Sequence, residues 1–189
     1  MRGIIQEAIL ESIRVKEELL KNNIAEIVEI SRKIVESLKK GGKLIVFGNG
    51  GSASDAQHIA AELVGRFKKD RPALPAIALT VNTSIITALA NDFGYDIIFA
   101  RQIEALAVKN DVVLGISTSG KAKNVVLALK QAKKMGLLTV ALTGGDGGEI
   151  AKQADLSLII PSSQTARIQE SHILVGHIIC ELIEEAGIR

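Results

Sequence analysis

Apolar residues recur every three or four positions along the first part of the chain, from Ile5 to Ile13 and again from Ile24 to Leu38. Two asparagines at 22–23 separate the two series, and two glycines at 41–42 follow the second. This spacing is typical of amphipathic helices, and asparagine and glycine are common at helix boundaries. The pattern therefore predicts two N-terminal helices that end near residue 41.

From residue 42 onward, short apolar runs rich in β-branched residues alternate with segments of helical period. The predicted strands are 44–47, 76–79, 112–116, 139–142 and 156–160. The predicted helices are 53–67, 83–91, 96–108, 122–135 and 147–153. Such alternation is typical of a parallel sheet covered by helices on both faces. We predict one domain of doubly wound α/β class with a five-stranded parallel sheet, in which 1–41 form a helical oligomerisation segment and 42–189 the α/β core.

The last predicted helix, 166–186, is apolar around much of its circumference. Its apolar residues are Ile168, Ile173, Leu174, Val175, Ile178, Ile179, Leu182 and Ile183. A helix of this kind needs cover on more than one side. Together with the apolar faces of the N-terminal helices it predicts a subunit interface, and packing within one chain is the alternative that the pattern leaves open.

Composition narrows the possible partners. The chain has 23 basic and 21 acidic residues, no Trp and one Tyr, so it offers neither a basic stripe nor many rings on which bases could stack. Nucleic acid is therefore not an expected partner. The single cysteine, Cys180, excludes an intramolecular disulfide, suits a reducing compartment and is interpreted as core packing. With no signal peptide and no apolar run long enough for a membrane span, a cytoplasmic protein without a membrane partner is expected.

A glycine and serine turn, Asn49-Gly50-Gly51-Ser52, joins the first predicted strand to a helix. Backbone N–H groups and the positive end of the helix dipole favour an anion at such a junction. A second hydroxyl-rich turn, 117–119, ends the third predicted strand, and ligands of open α/β sheets bind where such loops diverge. Helix capping is the alternative role for these residues. The two turns together predict a phosphate site.

Nucleotide-binding motifs fit less well than a sugar phosphate. The first turn supplies two glycines of the dinucleotide fingerprint, but no acidic residue ends the second predicted strand, 76–79. No Gly-Lys-Ser/Thr sequence follows the turn, which excludes a Walker A loop. We therefore expect a sugar phosphate as substrate.

Candidate metal ligands or acid–base groups lie on two predicted helices. His58 and Glu62 are four residues apart and so share a helix face. Gln169 and His177 are eight residues apart, about 80° around the helix axis, which permits one cluster. Imidazole, carboxylate and amide groups would suit a zinc-like ion, although nothing local requires the two helices to meet. His172 is interpreted as a core residue.

An acidic residue, Asp55, follows the first turn by three positions. Acidic side chains are favoured near helix N-termini, so helix capping is the role expected for it.

Several motifs together resemble the sugar isomerase (SIS) family, and more narrowly the phosphoheptose isomerases. They are GNGGSASDAQHIAAELVGRF, RPALPAIALT, ANDFGYDIIFARQIEAL, NDVVLGISTSG, ALTGGDGG and ARIQESHILVGH. The resemblance covers nearly the whole chain. It implies an aldose–ketose isomerase that converts sedoheptulose 7-phosphate to D-glycero-D-manno-heptose 7-phosphate, the first step of nucleotide-activated heptose biosynthesis. It further implies a homotetramer with active sites between subunits and one zinc ion per subunit.

The resemblance also implies roles for individual residues. The implied metal ligands are His58, Glu62, Gln169 and His177. The implied substrate contacts are Asn49, Gly50, Gly51, Ser52, Glu62, Asn91, Asp92, Ser117, Thr118, Ser119 and Gln169. The implied catalytic pair is Glu62, which would take the carbon-bound proton, and His177, which would move protons between oxygens. The second turn departs from the family, because Lys121-Ala122 stand where a hydroxyl is common.

Two other functions fit the same fold. A non-catalytic SIS protein that binds a phosphosugar or a replication initiator would be expected to lack the complete His-Glu-Gln-His set, which this chain has. An isomerase of another phosphosugar, such as arabinose 5-phosphate, is disfavoured by the spacing of His58 and Glu62 and by the absence of an appended regulatory domain.

Overall fold

The computed structural model describes residues 1–188, so Arg189, the last residue of the predicted domain, lies outside the described part. The helices are α1 Arg2–Asn22, α2 Ile24–Lys39, α3 Gly51–Val64, α4 Thr83–Phe93, α5 Ile98–Leu106, α6 Lys123–Lys134, α7 Gly148–Gln153 and α8 Thr165–Glu185, with a 3₁₀ turn at Tyr95–Ile97. The strands are β1 Leu44–Gly48, β2 Ala76–Ala78, β3 Val112–Ser117, β4 Leu138–Gly144 and β5 Leu156–Ile160.

The five strands form one parallel sheet in the order β2-β1-β3-β4-β5. Chain order reverses beside β1, because β2 lies on one side of it and β3 on the other. The carboxyl ends of β1 and β3 are in register, with Gly48 opposite Ile116. The loops that leave these two ends diverge to opposite faces, which is where open α/β sheets bind ligands.

The core has two layers, one on each face of the sheet. Residues of α1, α2, α3 and α8 pack on one face with Leu44 and Val46, whereas α5, α6 and α7 pack on the other with Ile45 and Phe47. Alternate residues of β1 thus enter opposite layers, as the period of a strand requires. Each such large side chain contributes roughly 1.5–3 kcal/mol when fully buried.

Helices α3 and α8 lie side by side and run in the same direction. A Cβ atom added at Gly51 would meet the Gln169 amide, and one added at Gly176 would lie 2.9 Å from Ile59 Cδ1. Gly176 therefore allows the close approach of the two helices. Their matching direction places the N-terminal ends of both helices together and their later turns together.

The predicted fold class is confirmed, and each predicted strand and helix is present with small shifts at its ends. The clearest difference is the end of α3, which was predicted at residue 67 but lies at Val64. The Arg71 guanidinium donates hydrogen bonds to the carbonyl oxygens of Glu62 and Leu63, at 2.8 Å each. These carbonyls are thus satisfied by a side chain instead of a further helical turn.

The N-terminal and C-terminal helices bury only part of their apolar surface within the chain. Val15 and Leu19 of α1 are buried against the core. The exposed large apolar residues of α1 are Ile4, Ile5, Ile9, Leu10, Ile13 and Leu20. The buried isoleucines and valine of α8 are Ile168, Val175, Ile179 and Ile183. Internal packing therefore accounts for one side of α8, while most of α1 is left uncovered.

Within residues 1–188, none of the helices combines the length and the apolar character that crossing a bilayer would demand.

Candidate active site

The first loop leaves β1 through Asn49 and enters α3 at Gly51. Gly50 has φ 56° and ψ −122°, a conformation that suits glycine and turns the chain sharply into the helix. The N–H of Ser52 donates to the carbonyl of Asn49 at 3.0 Å, and Ser52 is buried. The N-terminus of a helix of 14 residues therefore opens at the end of β1, as anion binding requires.

A pair of asparagine amides connects this loop to the helix that follows the second loop. Asn49 Nδ2 donates to Asn124 Oδ1 and Asn124 Nδ2 donates to Asn49 Oδ1, both at 2.9 Å. The hydroxyl of Tyr95 also donates to Asn49 Oδ1, at 3.2 Å. Asn124 and Tyr95 were not among the predicted site residues. Asn124 lies in the first turn of the helix after a candidate phosphate loop, and this position is the signal that could have identified it.

The second loop lines an open cleft at the carboxyl ends of β3 and β4. The cleft has a volume of about 280 Å³, and its polar lining comprises Thr118, Ser119, Lys121, Asp146, Ser162, Ser163 and Thr165. Gly120 has φ 65° and packs against the backbone of Gly147 and Gly148, which fixes the course of the loop. Lys121 thus lies beside the hydroxyl groups, and the hydroxyls at 162, 163 and 165 were not predicted.

His58, Glu62 and His177 form one cluster between α3 and α8. His58 Nε2 lies 2.9 Å from His177 Nε2 and 3.1 Å from Glu62 Oε1. One ligand atom from each of the three residues lies within 4.8 Å of the other two. Because Zn–N bonds are about 2.0–2.1 Å, tetrahedral ligands lie roughly 3.3 Å apart, close to the observed separations. The donor set and its spacing therefore fit a zinc ion.

Gln169 occupies the other end of the interface between α3 and α8. Its amide packs on Gly51, where an added Cβ would lie 2.4 Å from Nε2. Eight residues along α8 correspond to an axial rise of about 12 Å between Gln169 and His177. This position beside the first loop supports the predicted substrate contact more directly than the predicted ligand role, and both roles stay predictions.

Asn91 and Asp92 lie exposed at the end of α4, where Asn91 Nδ2 donates to Asp92 Oδ1 at 2.9 Å. Within the described part of the chain, their side chains form no hydrogen bond to the two loops. Their predicted substrate contacts are therefore carried by the family resemblance alone.

The expected capping role of Asp55 is wrong. Helix α3 begins at Gly51, earlier than predicted, so Asp55 is its fifth residue and makes no capping hydrogen bond. Its Oδ2 atom is buried and finds no hydrogen-bond partner among residues 1–188. Burial raises the pKa of Asp55 to about 6, and the nearby His58 lowers this pKa by a smaller amount.

His172 and Cys180 lie in the core, as their interpretation from the sequence requires. His172 Nε2 donates to the carbonyl of Thr143 at 3.1 Å, and burial lowers the pKa of His172 to about 4. Burial raises the pKa of the Cys180 thiol to about 12, and the negative charges of Glu62 and Glu184 contribute to this increase. The thiol is therefore protonated at neutral pH and inert as a nucleophile.

Comparisons with known proteins agree on one family. A family model described as the SIS domain matches residues 9–144. The phosphoheptose isomerase of Sulfurimonas denitrificans is 52% identical over 187 residues, which cover 98% of this chain and 96% of that protein. The solved structure of a phosphoheptose isomerase from Neisseria gonorrhoeae has a TM-score of 0.93 at 42% identity, with 97% of this chain and 98% of that chain covered. A phosphoheptose isomerase structure from Francisella tularensis has a TM-score of 0.94 at 38% identity, covering 97% of each chain. The chain belongs to the SIS domain family, and within that family to the phosphoheptose isomerases.

Proposed function

We propose that this protein converts sedoheptulose 7-phosphate to D-glycero-D-manno-heptose 7-phosphate, the first step of nucleotide-activated heptose biosynthesis. The observation that carries the proposal is the cluster of His58, Glu62 and His177. The cluster lies further along α3 than the loop at the N-terminus of this helix, which is suited to binding phosphate. The relatives named phosphoheptose isomerase, about half identical over nearly the full chain, support the same substrate.

The two loops would hold the phosphate. The N-terminus of α3 and the hydroxyls of Ser52, Ser117, Thr118 and Ser119 supply donors on two adjacent strand ends. From Gly51 to His58 the helix rises by about 10 Å, a length that an extended seven-carbon sugar phosphate can span. A substrate bound by its phosphate would thus present its first two carbons to the cluster.

The isomerisation needs a base for carbon and a proton carrier for oxygen. Glu62 would take a proton from C1, so that the C–H electron pair forms the C1–C2 double bond of an enediol while the C2 oxygen gains a proton. Glu62 would then return a proton to C2, and the O1–H proton would leave as the C1 aldehyde forms. His177 would carry the proton between the two oxygens, because an imidazole has a donor on one ring nitrogen and an acceptor on the other.

His58, Glu62 and His177, with Gln169 as the fourth predicted ligand, would hold the zinc ion. When bound, the ion would polarise the substrate carbonyl and stabilise negative charge on its oxygen. The two imidazoles and one carboxylate match the ligands that zinc prefers.

The active protein would be a cytoplasmic homotetramer with its active sites at subunit interfaces. The uncovered apolar face of α1, which includes Ile5, Ile9 and Leu10, is the surface that supports assembly. The one cysteine is buried and unpaired, which suits the reducing cytoplasm. Light scattering of the purified protein measures the assembly, and a stable monomer would exclude it.

The direct test is an isomerase assay of the purified protein on sedoheptulose 7-phosphate, with the aldoheptose 7-phosphate detected by mass-resolved chromatography. Glu62→Gln and His177→Ala are each expected to lower kcat by roughly 10²–10⁴-fold, the usual contribution of acid–base groups. The folded state is checked by circular dichroism. Turnover at the wild-type rate in both variants would refute the assignment, and wild-type protein without turnover would support a binding protein instead.

A further inference from the structure

Glu184, near the end of α8, is a buried carboxylate that holds the chain segment after α3. Its side chain is 1% exposed. Its two oxygens accept hydrogen bonds from the backbone N–H groups of Phe67, Lys68 and Lys69 at 2.8–3.0 Å. Burial alone would raise the pKa of Glu184, but these donors and Arg71 hold it below its ordinary value. The carboxylate therefore stays charged and fixes three consecutive residues.

Arg71 connects the same carboxylate to the last turn of α3. Its Nε donates to Glu184 Oε1 at 3.1 Å, and its two terminal nitrogens donate to the carbonyl oxygens of Leu63 and Glu62 at 2.8 Å. The Arg71 side chain is 9% exposed, so these charge-assisted bonds are shielded from water. One ion pair thus ties α8 to the backbone of the proposed base, Glu62.

The segment that Glu184 holds places an aromatic ring on the proposed proton carrier. The rings of Phe67 and His177 stack with centroids 5.3 Å apart and planes 19° from parallel. The ring of His58 approaches His177 edge-on, with centroids 5.0 Å apart. His177 is therefore held on one face by Phe67 and at Nε2 by the cluster, so rotation of its ring would break both contacts.

We propose that Glu184, Arg71 and Phe67 are positioning residues for the isomerisation, which fix the His177 ring and the end of α3 that carries Glu62. The inference rests on the proposed function for its catalytic consequence. Its structural part is the control of the His177 ring by Phe67, which stacks on it, and by Glu184, which holds the Phe67 segment. This part is independent of turnover. Within residues 1–188, the hydrogen bonds of these three residues join other parts of the chain and not the two loops assigned to the phosphate, so the network would act on the chemical step and not on substrate capture.

The structural part is tested on the metal-free full chain with ¹³Cε1-labelled histidine, because the chain has three histidines and gives three signals. Phe67→Leu removes the ring current and is expected to move the His177 signal, whereas Phe67→Tyr keeps the ring and the signal. Glu184→Gln is expected to move the same signal. Glu185→Gln is the matched control, because Glu185 pairs with the Lys69 side chain at the surface of the same helix. An unmoved His177 signal in both Phe67→Leu and Glu184→Gln would overturn the proposal.

The catalytic part is tested by separating kcat from KM for sedoheptulose 7-phosphate. Phe67→Leu and Glu184→Gln are expected to lower kcat by roughly 10–100-fold with KM within about twofold, since small misplacements of catalytic groups have effects of this size. Phe67→Tyr and Glu185→Gln should keep the wild-type kcat. Should Glu184→Gln fail to fold, Phe67→Leu leaves the ion pair intact and decides the question. A rise in KM with unchanged kcat would contradict the positioning role.

Failure of the proposed function and failure of the positioning role would give different results. His177→Ala with full turnover would refute the proposed catalytic pair, whatever the spectra show. An active enzyme that depends on His177 but whose His177 signal ignores Phe67 and Glu184 would refute only the positioning role.

Discussion

The Nε2 atoms of His58 and His177 lie 2.9 Å apart although 119 positions separate the two residues in the chain. Two imidazole nitrogens at this distance share one proton or face one cation. With Glu62 Oε1 3.1 Å from His58 Nε2, a carboxylate is present to balance the charge of a cation. Because the three side chains lie this close together, zinc binding can be measured in the absence of substrate.

We expect wild-type protein to bind one zinc ion per chain, and His58→Ala to lower zinc affinity by at least about 10–100-fold because one of the ligand nitrogens is lost. Metal analysis after dialysis and calorimetric titration of the chelator-treated protein measure this. Gln57→Ala is the matched control, since Gln57 is the exposed neighbour on α3 and its side chain bonds Thr80. Equal zinc content in wild-type protein and His58→Ala would exclude the cluster as the metal site.

The amide pair of Asn49 and Asn124 should govern how well the phosphate loop is held. Asn124→Ala removes both hydrogen bonds and leaves Asn49 Nδ2 without its partner, whereas Tyr95 still donates to Asn49 Oδ1. The loss of a hydrogen bond of this kind costs about 0.5–1.5 kcal/mol. We expect a rise in KM of roughly tenfold and a lower free energy of unfolding, measured by steady-state kinetics and urea denaturation. Asn22→Ala serves as the control, because the Asn22 side chain bonds Glu18 on the exposed surface of α1. An unchanged KM would show that the pair does not control the loop.

Substitutions at two glycines should distinguish a position that affects substrate binding from one that affects stability. Gly51→Ala places a methyl group 2.4 Å from Gln169 Nε2, at the end of a flexible side chain that can move away. Gly120→Ala places one 2.3 Å from the carbonyl oxygen of Gly147, at a residue with φ 65°. We therefore expect Gly51→Ala to raise KM with little loss of stability, and Gly120→Ala to lower the melting temperature. The reverse result would mean that the Gln169 amide is packing and not a substrate contact.

Acid should destabilise the fold in part through His172. Its pKa is about 4 in the folded chain against an ordinary value of 6.5, because burial disfavours the imidazolium. As the pH falls from 6.5 to 4, the unfolded chain gains a proton that the folded chain does not, so stability is lost over this window and is fully present above it. At about 1.4 kcal/mol per pKa unit, the loss is about 3 kcal/mol.

His172→Gln keeps a donor for the Thr143 carbonyl but cannot titrate. Its free energy of unfolding should therefore depend less on pH between 6.5 and 4 than that of the wild type, at equal protein concentration. Urea denaturation at several pH values measures the difference. Parallel pH profiles for the two proteins would show that His172 takes no part in acid unfolding.

The sequence predicts local features of this site well and long-range features poorly. His58 and Glu62 share a helix face because spacing along one helix determines it, and the apolar runs locate β1 and β3. The contact of His58 with His177 depends on which helices cover the same face of the sheet, and periodicity does not contain that information.

The same limitation explains the residues that were missed or misplaced. The Asn49–Asn124 pair requires that β1 and β3 be neighbours, which only the strand order establishes. The angle of Gln169 around α8 follows from the sequence, but the packing of its amide on Gly51 depends on how α8 lies against α3. Asp55 was assigned to a first turn because the start of α3 was predicted two residues late.

Because α3 and α8 run in the same direction, the site proposed here would select substrates by their length. One end of the pair, at Gly51 and Gln169, lies at the loop proposed to bind phosphate, and the other end, at His58 and His177, holds the groups proposed to transfer protons. Ile59 packs closely against Gly176, which opposes sliding of one helix past the other. Under the proposed function, a pentose phosphate anchored by its phosphate would end two carbons short of Glu62, so chain length would be selected by the rise of a helix.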